Sequence, residues 1–444
     1  MTFSRCMLFV GIACIAALTA CSEKTVQKPK NIIYMIGDGM SMAHLTAYRH
    51  FSNSNANHIG LGDQKIPTTL FDQYLVGVAS THPEDDTLVT DSAASATALS
   101  SAEKTYNGAI ALDNDKSELL TVIQRAKQLG KLTGTISTSQ ITHATPASFW
   151  AHNESRANQN AIADDAFDRK IEGKFTTDLL LGGGTKYLIR EDRNIVQEFQ
   201  NNGWQYQANL ADLDQFTELP ALGLFAEKGL PYAIDNTELP NRLEAMTKKG
   251  LQLLNQNNPN GFFVMIEGSQ IDWCSHGNDI ACAMHEMRDF ELAFKAALDF
   301  AEKDGNTLIV LTADHGTGGL SVGANKKYLW LPDVVHKVGI SAEEFTKRVA
   351  SGEDIEALWQ QYNNFDLTAE QLTSLKELQI SKDLDNLFKY MVKIVNEKSY
   401  TGWTTTGHVG GDVAVISFGP HSEIFAGYQD NTDLSSKLFQ LIEK

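Results

Sequence analysis

Short apolar runs alternate with amphipathic helical patterns along most of this chain. The apolar runs are NIIYMI at 31–36, KLTGTIST at 131–138, GFFVMIEGS at 261–269, NTLIVLTADHG at 306–316 and DVAVISFGP at 412–420. The helical patterns occupy 117–130, 240–256 and 281–305, and a last one lies near 431–443. Unbroken apolar strands are typical of parallel sheets that helices cover on both faces. We therefore predict an α/β fold, a three-layer αβα sandwich around a central, mostly parallel sheet.

The alternation breaks down between 321 and about 405. This segment is polar and helix-prone, and it lacks a convincing apolar strand. We interpret it as an insertion between two elements of the sheet, within one domain that spans 31–444.

The N-terminal segment differs from the rest of the chain. Up to Cys21, Arg5 is the only charged residue; CMLFVGIACIAAL at 6–18 is a short apolar run, and LTAC follows it. A run of this length suits a cleaved export signal better than a membrane span. We predict a lipoprotein-type signal peptide at 1–20, lipid attachment to Cys21 and a polar tether at 21–30. The protein would then lie in the periplasm or cell envelope; ordinary secretion with an incidental cysteine is the alternative.

The net charge restricts the range of partners. The 444 residues carry a formal charge of −18 and contain no basic run. A nucleic-acid-binding surface is therefore not expected, and membrane contact would come only through the lipid. An anionic substrate is still compatible with this charge if bound cations dominate the local field.

Cys274 and Cys282 are the cysteines left after removal of the signal and acylation of Cys21. An oxidising compartment would permit a disulfide between them, but their spacing alone does not establish one. A bridge and two free thiols are equally open. A zinc site is the weaker alternative, since no second pair of cysteines accompanies them.

Potential metal ligands cluster where the apolar runs end. They are Asp38, Glu267, Asp272, His276, Asp314 and His315, with His408 just before the last run. Each could be a turn former, a helical ion pair or a satisfied core histidine. Ligands bind beyond the carboxyl ends of parallel strands, however, and agreement at four places indicates one cluster. Nitrogen and oxygen donors of these kinds suit zinc.

The segment LVTDSAASATAL at 88–99 places Ser92 after Asp91, at the predicted start of a helix of small residues. Unpaired backbone N–H groups at such a position favour an anion, and small residues allow close packing. A nearby metal would lower the pKa of the serine hydroxyl and make it a nucleophile. A helix cap is the simpler alternative. No GxSxG motif surrounds Ser92, so a Ser-His-Asp triad is not indicated.

Together these motifs resemble those of alkaline phosphatases. The strongest are YMIGDGM, VTDSAASATAL, THATPASFWAH, IEGSQIDWCSHGND, LTADHGTGG and TTGHVGGD. The resemblance runs from about residue 31 to the C-terminus, without the insertion, which would be the family's crown or lid. It implies hydrolysis of small phosphate monoesters to inorganic phosphate and an alcohol. It also implies a phosphoserine intermediate, two Zn²⁺ and one Mg²⁺ per subunit, and a homodimer.

The resemblance assigns a role to each matching residue. Ser92 corresponds to the phosphorylated nucleophile and Arg156 to the arginine that holds two phosphate oxygens, with Asp91 positioning both. The implied ligand sets are Asp38, Asp314 and His315 for the zinc that activates Ser92; Asp272, His276 and His408 for the zinc at the leaving oxygen; and Asp38, Thr145 and Glu267 for Mg²⁺.

His143 and Trp273 depart from the best-studied bacterial pattern, which resembles this one but has Asp and Lys there. They would contribute to substrate binding next to the third metal, whose identity these departures leave open. A similar pair occurs in some marine and cold-adapted relatives. For Trp273, simple packing is the alternative.

Other enzymes of the same fold are the nearest alternatives. Nucleotide pyrophosphatases and phosphodiesterases usually use Thr as the nucleophile and lack both the third metal site and the arginine. Ser92, Thr145, Glu267 and Arg156 therefore favour a monoesterase. A sulfatase would need a Cys/Ser-x-Pro-x-Arg motif, which 88–99 lacks. A lipid-anchored binding protein without catalysis would be favoured if Ser92 or a ligand were replaced, and none of them is.

Overall fold

The computed structural model describes residues 28–54, 68–236, 239 and 241–443. Its strands, in chain order, are β1 (Asn31–Gly37), β2 (Leu75–Ser80), β3 (Leu132–Gln140), β4 (Lys170–Ile171), β5 (Lys174–Phe175), β6 (Leu179–Gly183), β7 (Gln205–Gln207), β8 (Ala221–Leu224), β9 (Phe262–Gly268), β10 (Thr307–Ala313), β11 (Gly316–Thr317), β12 (Ser321–Val322), β13 (Thr401–Gly402), β14 (His408–Val409), β15 (Val413–Phe418) and β16 (Gly427–Asp430). Its α-helices are α1 (Met42–Asn53), α2 (Leu70–Gln73), α3 (Ser92–Ser101), α4 (Val122–Gln128), α5 (Ala144–Ala147), α6 (Gln159–Asp168), α7 (Thr185–Leu188), α8 (Ile195–Asn201), α9 (Arg242–Asn255), α10 (Gln270–His276), α11 (Ile280–Asp304), α12 (Pro332–Val335), α13 (Ala342–Ala350), α14 (Ile355–Tyr362), α15 (Ala369–Ser381), α16 (Leu384–Ser399) and α17 (Asn431–Ile442).

The predicted signal peptide at 1–20, Cys21 and most of the tether lie outside the described residues. Among the helices that are described, none combines the length and apolarity that crossing a membrane requires.

Ten of the strands form one sheet, in the order β16-β2-β15-β10-β1-β9-β3-β6-β8-β7. Neighbours are parallel except at β15, which is antiparallel to both β10 and β2. Helices cover both faces: α1, α9 and α11 pack together in one layer, and α3, α4 and α17 in the other. Strands β1, β9 and β10 are consequently buried along their whole length. The predicted sandwich with a mostly parallel sheet is confirmed.

The five apolar runs form β1, β3, β9, β10 and β15, and the helical patterns correspond to α4, α9, α11 and α17. Helix α4 is shorter than the predicted 117–130. Thr121 caps it, accepting from the Gln124 N–H at 3.2 Å, while the Gln124 side chain accepts from the Thr121 N–H at 3.0 Å. Strands β2, β6, β7, β8 and β16 have no counterpart in the predicted pattern. They are short, and most contain glycine, so their apolar signal is weak.

The segment from 321 to 402, all of which is described, contributes no strand to the large sheet. Strand β12 pairs with β13, so the chain leaves the main body and returns to it at one place. Between these strands, α13 to α16 carry an apolar cluster separate from the main core. Phe345, Leu358 and Trp359 are among its buried members.

A buried charge network joins α9, α10 and α11. The guanidinium of Arg242 donates to Glu286 at 2.8 Å, to Asp289 at 2.9 Å and to the side-chain oxygen of Gln270. Arg242 is fully buried, and both acids are 2% exposed. Because Gln270 is the first residue of α10, this network fixes the position at which that helix begins.

Replacing Arg242 with Met is expected to lower the free energy of unfolding by about 3–5 kcal/mol, because two buried carboxylates lose their cation. Denaturant unfolding followed by circular dichroism measures this loss. The control is Arg125→Met, which removes the partly exposed ion pair with Glu443 and should cost about 0–1 kcal/mol. Equal losses in the two variants would contradict a stabilising role for the buried network.

Candidate active site

Three carboxylates meet where β1, β9 and β10 end side by side. Asp38 directly follows β1, Glu267 is the penultimate residue of β9, and Asp314 directly follows β10. The parallel register places the last residues of these strands level with one another. All three acids are fully buried. The expected cluster at the carboxyl edge of the sheet is therefore present.

Gly39 lets the end of β1 approach α10. Its φ is +74°, in the left-handed region that favours glycine. A Cβ at this position would also lie 2.7 Å from Cα of Asp272. Only glycine can occupy this turn without moving Asp272 away from the cluster.

Asp38, Asp314 and His315 form the first candidate ligand group, with ligand atoms within 4.8 Å of one another. Nε2 of His315 lies 3.3 Å from Asp314 Oδ2 and 3.5 Å from Asp38 Oδ1. Both oxygens of Asp38 and Oδ2 of Asp314 are buried without a hydrogen-bond partner. Burial, together with the charge of Asp272, raises the pKa of Asp314 to about 8. A divalent cation would offset this crowding of buried carboxylates, so the group fits a metal.

Asp272, His276 and His408 form the second group. Nε2 of His276 lies 3.3 Å from Asp272 Oδ2 and 3.2 Å from Nε2 of His408, which is 3.6 Å from Asp272 Oδ1. The two Nδ1 atoms bond to backbone carbonyls, that of Thr406 at 2.5 Å and that of Thr90 at 2.9 Å. A proton on each Nδ1 leaves both Nε2 lone pairs close to one carboxylate. Metal-binding histidines are oriented in this way.

His315 links the two groups. Its ring stacks on that of His408, with centroids 3.6 Å apart, and ligand atoms of Asp272, His315 and His408 also lie within 4.8 Å of one another. Burial and the neighbouring His408 lower the pKa of His315. The imidazole is therefore neutral and has a lone pair to offer, and the two candidate ion positions are adjacent.

A third group consists of Asp38, Glu267 and His143, again within 4.8 Å. Thr145 lies on α5, two residues from His143, and its hydroxyl is buried without a partner, as are Oε1 of Glu267 and Nδ1 of His143. Burial raises the pKa of Glu267 to about 7 and lowers that of His143 to about 3. A neutral imidazole thus adds a nitrogen donor to a set of oxygen donors.

Ser92 is the first residue of α3, and Asp91 caps that helix by accepting a first-turn N–H at 2.9 Å. The Ser92 hydroxyl faces the first ligand group instead, with Oγ 3.1 Å from Nε2 of His315. Every residue of α3 is buried, and Ser95 donates to the carbonyl of Asp314 at 2.7 Å. The small side chains therefore let α3 pack directly on the ligand loop. The alternative that Ser92 is merely a cap is wrong.

Arg156 lies at the mouth of the site. Its Nη1 is 3.0 Å from Asp91 Oδ2, and its Nη2 is 3.2 Å from Nε2 of His143. Asp91 also accepts from the Gly108 N–H at 3.1 Å. The guanidinium side chain is 29% exposed, whereas Ser92 is buried. One carboxylate thus positions both the serine helix and the arginine.

Trp273 packs between His143 and a turn of the main chain. The two rings meet edge to face, with centroids 5.7 Å apart. A Cβ at Gly229 would come within 2.5 Å of the indole, so the tryptophan lies directly on that backbone. Trp273 therefore has the packing role that was the alternative for it, and a contact between Trp273 and substrate stays a prediction.

Comparison with known proteins decides the family of this chain. The family model described as alkaline phosphatase matches residues 29–443. This chain belongs to the alkaline phosphatase family. It is accordingly a phosphomonoester hydrolase, and the family is metal-dependent.

The similarity to individual relatives extends over most of this chain. Alkaline phosphatase 3 of Bacillus subtilis is 45% identical over 418 residues, which cover 93% of this chain and 89% of that protein. The alkaline phosphatase of Schizosaccharomyces pombe is 34% identical and covers 93% of this chain and 81% of that protein. The crystal structure of a cold-active alkaline phosphatase from a psychrophilic Shewanella is 42% identical, with a TM-score of 0.86. That match covers 93% of this chain and 100% of the other.

A disulfide joins Cys274 to Cys282 in this alkaline phosphatase, with Cα atoms 5.5 Å apart. It ties α10, which carries Asp272 and His276, to the first turn of α11. Of the alternatives left open by the sequence, the bridge is the one that forms.

Several supporting groups of the site escape sequence reasoning. Thr317 donates to Oδ1 of Asp272, and the side-chain oxygen of Asn107 accepts the Asp91 N–H at 2.6 Å. The carbonyls of Thr90 and Thr406 orient the two histidines. Every residue has a backbone carbonyl, so the sequence gives no sign of which carbonyls orient the histidines. Only the distances in the structure identify them.

Proposed function

We propose that this alkaline phosphatase hydrolyses phosphate monoesters through a phosphoserine at Ser92, in a site that holds two Zn²⁺ and one Mg²⁺. The observation that carries the proposal is the position of the serine hydroxyl. It lies 3.1 Å from His315 Nε2, at the N-terminus of a buried helix. A nucleophile, candidate metal ligands and a helix end that favours an anion thus coincide.

The ligand groups support three ion positions. Asp38, Asp314 and His315 would hold one zinc, Asp272, His276 and His408 the other, and Asp38, Thr145 and Glu267 the magnesium. When bound, these cations would lower the pKa of the attacking oxygen and stabilise charge on the entering and leaving oxygens. The nitrogen that His143 adds to the third group favours zinc as an alternative occupant there.

The chain's own residues account for binding and positioning. Arg156 offers two N–H donors in the planar arrangement that suits two phosphate oxygens. Oγ of Ser92 attacks phosphorus and the alcohol leaves with the ester oxygen. Water then attacks the phosphoserine, which frees Ser92 and releases inorganic phosphate. Two in-line displacements give overall retention at phosphorus.

A paired assay tests the proposal. The purified mature protein, supplied with Zn²⁺ and Mg²⁺ at alkaline pH, is given 4-nitrophenyl phosphate and the matching diester. We expect kcat/KM to favour the monoester by at least about 10³-fold, because its three non-bridging oxygens can supply two to Arg156 and one to the cations, whereas the diester has only two. A preference for the diester would assign the protein to the phosphodiesterases.

Replacing Arg156 with Ala is expected to lower kcat/KM for the monoester by about 10²-fold, because two charge-assisted hydrogen bonds are lost. Steady-state kinetics on both substrates measures the effect, and the diester should lose less than about 10-fold. Arg156→Lys keeps the charge without the paired geometry, so its kcat/KM for the monoester should lie between the values of wild type and Arg156→Ala. Equal losses on both substrates would show that Arg156 does not recognise the monoester.

Three further features extend the proposal to the whole protein. We propose export by the signal at 1–20, a lipid anchor at Cys21 and assembly as a homodimer. Their support is the lipobox-like sequence LTAC and the resemblance of this chain to the family.

A further inference from the structure

A groove of about 590 Å³ opens beside the second ligand group, between the turn after α10 and helix α16 of the inserted segment. The residues that matter for its chemistry are His276, Asn278, Phe388, Lys389, Lys393 and Trp403. One wall of the groove therefore comes from the main body of the protein and the other from the inserted segment.

The groove begins at the exposed end of the ligand cluster. The side chain of His276 is 40% exposed, whereas that of Asp272, 3.3 Å away, is 5% exposed. On the proposed function, on which this inference rests, His276 belongs to the group nearest the leaving oxygen. The alcohol part of a bound monoester would therefore extend past His276 into the groove.

Contacts across the groove hold its walls in place. The ring of Phe388 packs on Gly277, where a Cβ would come within 2.9 Å of it. The side chain of Asn396 donates to the carbonyl of Asn278 at 2.9 Å and accepts from the indole N–H of Trp403 at 3.3 Å. Helix α16 is thus fixed to the turn that follows His276, and the groove exists before any ligand binds.

The lining combines aromatic rings with positive charge. Phe388 and Trp403 are both partly exposed and offer ring faces to a ligand. Nζ of Lys393 lies 3.8 Å from Glu397, which partly balances its charge. Lys389 is exposed, and no acidic oxygen of the described residues lies within 4.0 Å of it. The rim therefore carries an unbalanced positive charge, in a protein whose net charge is −18.

We propose that this groove is a leaving-group subsite. It binds the aromatic alcohol of a phosphate monoester, with the ring against Phe388 and an anionic substituent of that alcohol near Lys389. The inserted segment would then determine which monoesters the enzyme prefers, while the sheet edge performs the same chemistry on all of them.

The test compares phenyl phosphate, 4-carboxyphenyl phosphate and methyl phosphate in wild type and variants of the full, metal-loaded enzyme. In Phe388→Ala, kcat/KM for phenyl phosphate should fall about 3- to 10-fold more than that for methyl phosphate. Each substrate is compared between variant and wild type, so the intrinsic reactivity of its leaving group cancels. Phe388→Leu keeps the packing on Gly277 without the ring and should show the same selectivity change with an unaltered Tm.

Charge is tested separately by Lys389→Gln. The ratio of kcat/KM for 4-carboxyphenyl phosphate to that for phenyl phosphate should fall about 2- to 5-fold at low ionic strength. In wild type, added salt should lower this ratio to the value of the variant. Lys347→Gln, at an exposed lysine of α13 outside the groove, is the control and should change nothing.

Each failure has a distinct signature. If wild type hydrolyses none of the three monoesters, the proposed function is wrong. If the monoesters are hydrolysed but Phe388→Ala and Phe388→Leu slow phenyl and methyl phosphate equally, the groove only supports His276 and the subsite does not exist. An unchanged preference in Lys389→Gln would remove the anionic substituent from the proposal.

Discussion

Ser92→Ala is expected to lower kcat for 4-nitrophenyl phosphate by about 10⁴-fold, because the attacking oxygen is lost while the ligand groups and Arg156 are kept. The residual rate would reflect direct attack by water on a bound and positioned monoester. Steady-state kinetics measures the loss. A second measurement is the acid-quenched enzyme after brief exposure to ³²P-labelled substrate, where wild type should retain label and the variant none.

Ser101→Ala is the matched control. Ser101 lies on the same buried helix, but its hydroxyl donates within the helix to the carbonyl of Thr97 at 2.7 Å. It also accepts from the Glu103 N–H at 3.3 Å. Its replacement should change kcat by less than about 3-fold, because it removes two ordinary hydrogen bonds at the opposite end of the helix from Ser92. Covalent label in Ser92→Ala would place the phosphoryl group on another residue and overturn the proposed mechanism.

Asp38→Ala is expected to have the second large effect, because Asp38 belongs to two of the candidate ligand groups. Neither of its buried oxygens has a hydrogen-bond partner, so removing the carboxylate should weaken metal binding without breaking a protein hydrogen bond. We expect the metal content per chain after dialysis to fall from three ions toward one. Activity should fall by about 10³-fold or more as the cations that stabilise the reacting oxygens are lost.

Thermal unfolding provides a readout that does not depend on activity. In wild type a chelator should lower Tm, because ions bound only to the folded state stabilise it. In Asp38→Ala the chelator should have a much smaller effect. The control is Asp304→Asn, at the opposite end of β10, where the carboxylate accepts from Thr307 and Asn31. An Asp38→Ala protein that still binds three ions would contradict the assigned ligands.

The antiparallel strand β15 shows where sequence reasoning stops. In the sequence His408 comes before the last apolar run, whereas the other ligands lie at or just after the ends of theirs. Because β15 runs against β10, the start of that strand lies at the edge where the parallel strands end. His408 thereby reaches Asp272, with Nε2 3.6 Å from Oδ1. Strand direction depends on the pairing partner, which no local pattern records.

His143 and the cysteines make the same point. Their residue types were visible in the sequence, but their partners were not. The structure brings His143 within 4.8 Å of ligand atoms of Asp38 and Glu267, and it closes the Cys274–Cys282 bridge. Both outcomes depend on how α5 and α10 pack at the edge of the sheet.

The layer architecture and the candidate chemistry can be predicted from the amino-acid pattern alone. Apolar runs and helical periodicity are local properties, and they specify which segments are buried strands and which are amphipathic helices. Ligand types at the ends of the runs likewise follow from residue identity. The strand order, the grouping of ligands around Asp38 and His315, and the groove beside His276 emerge only from the folded structure. These features are distances between residues far apart in the chain, and such distances are set by packing.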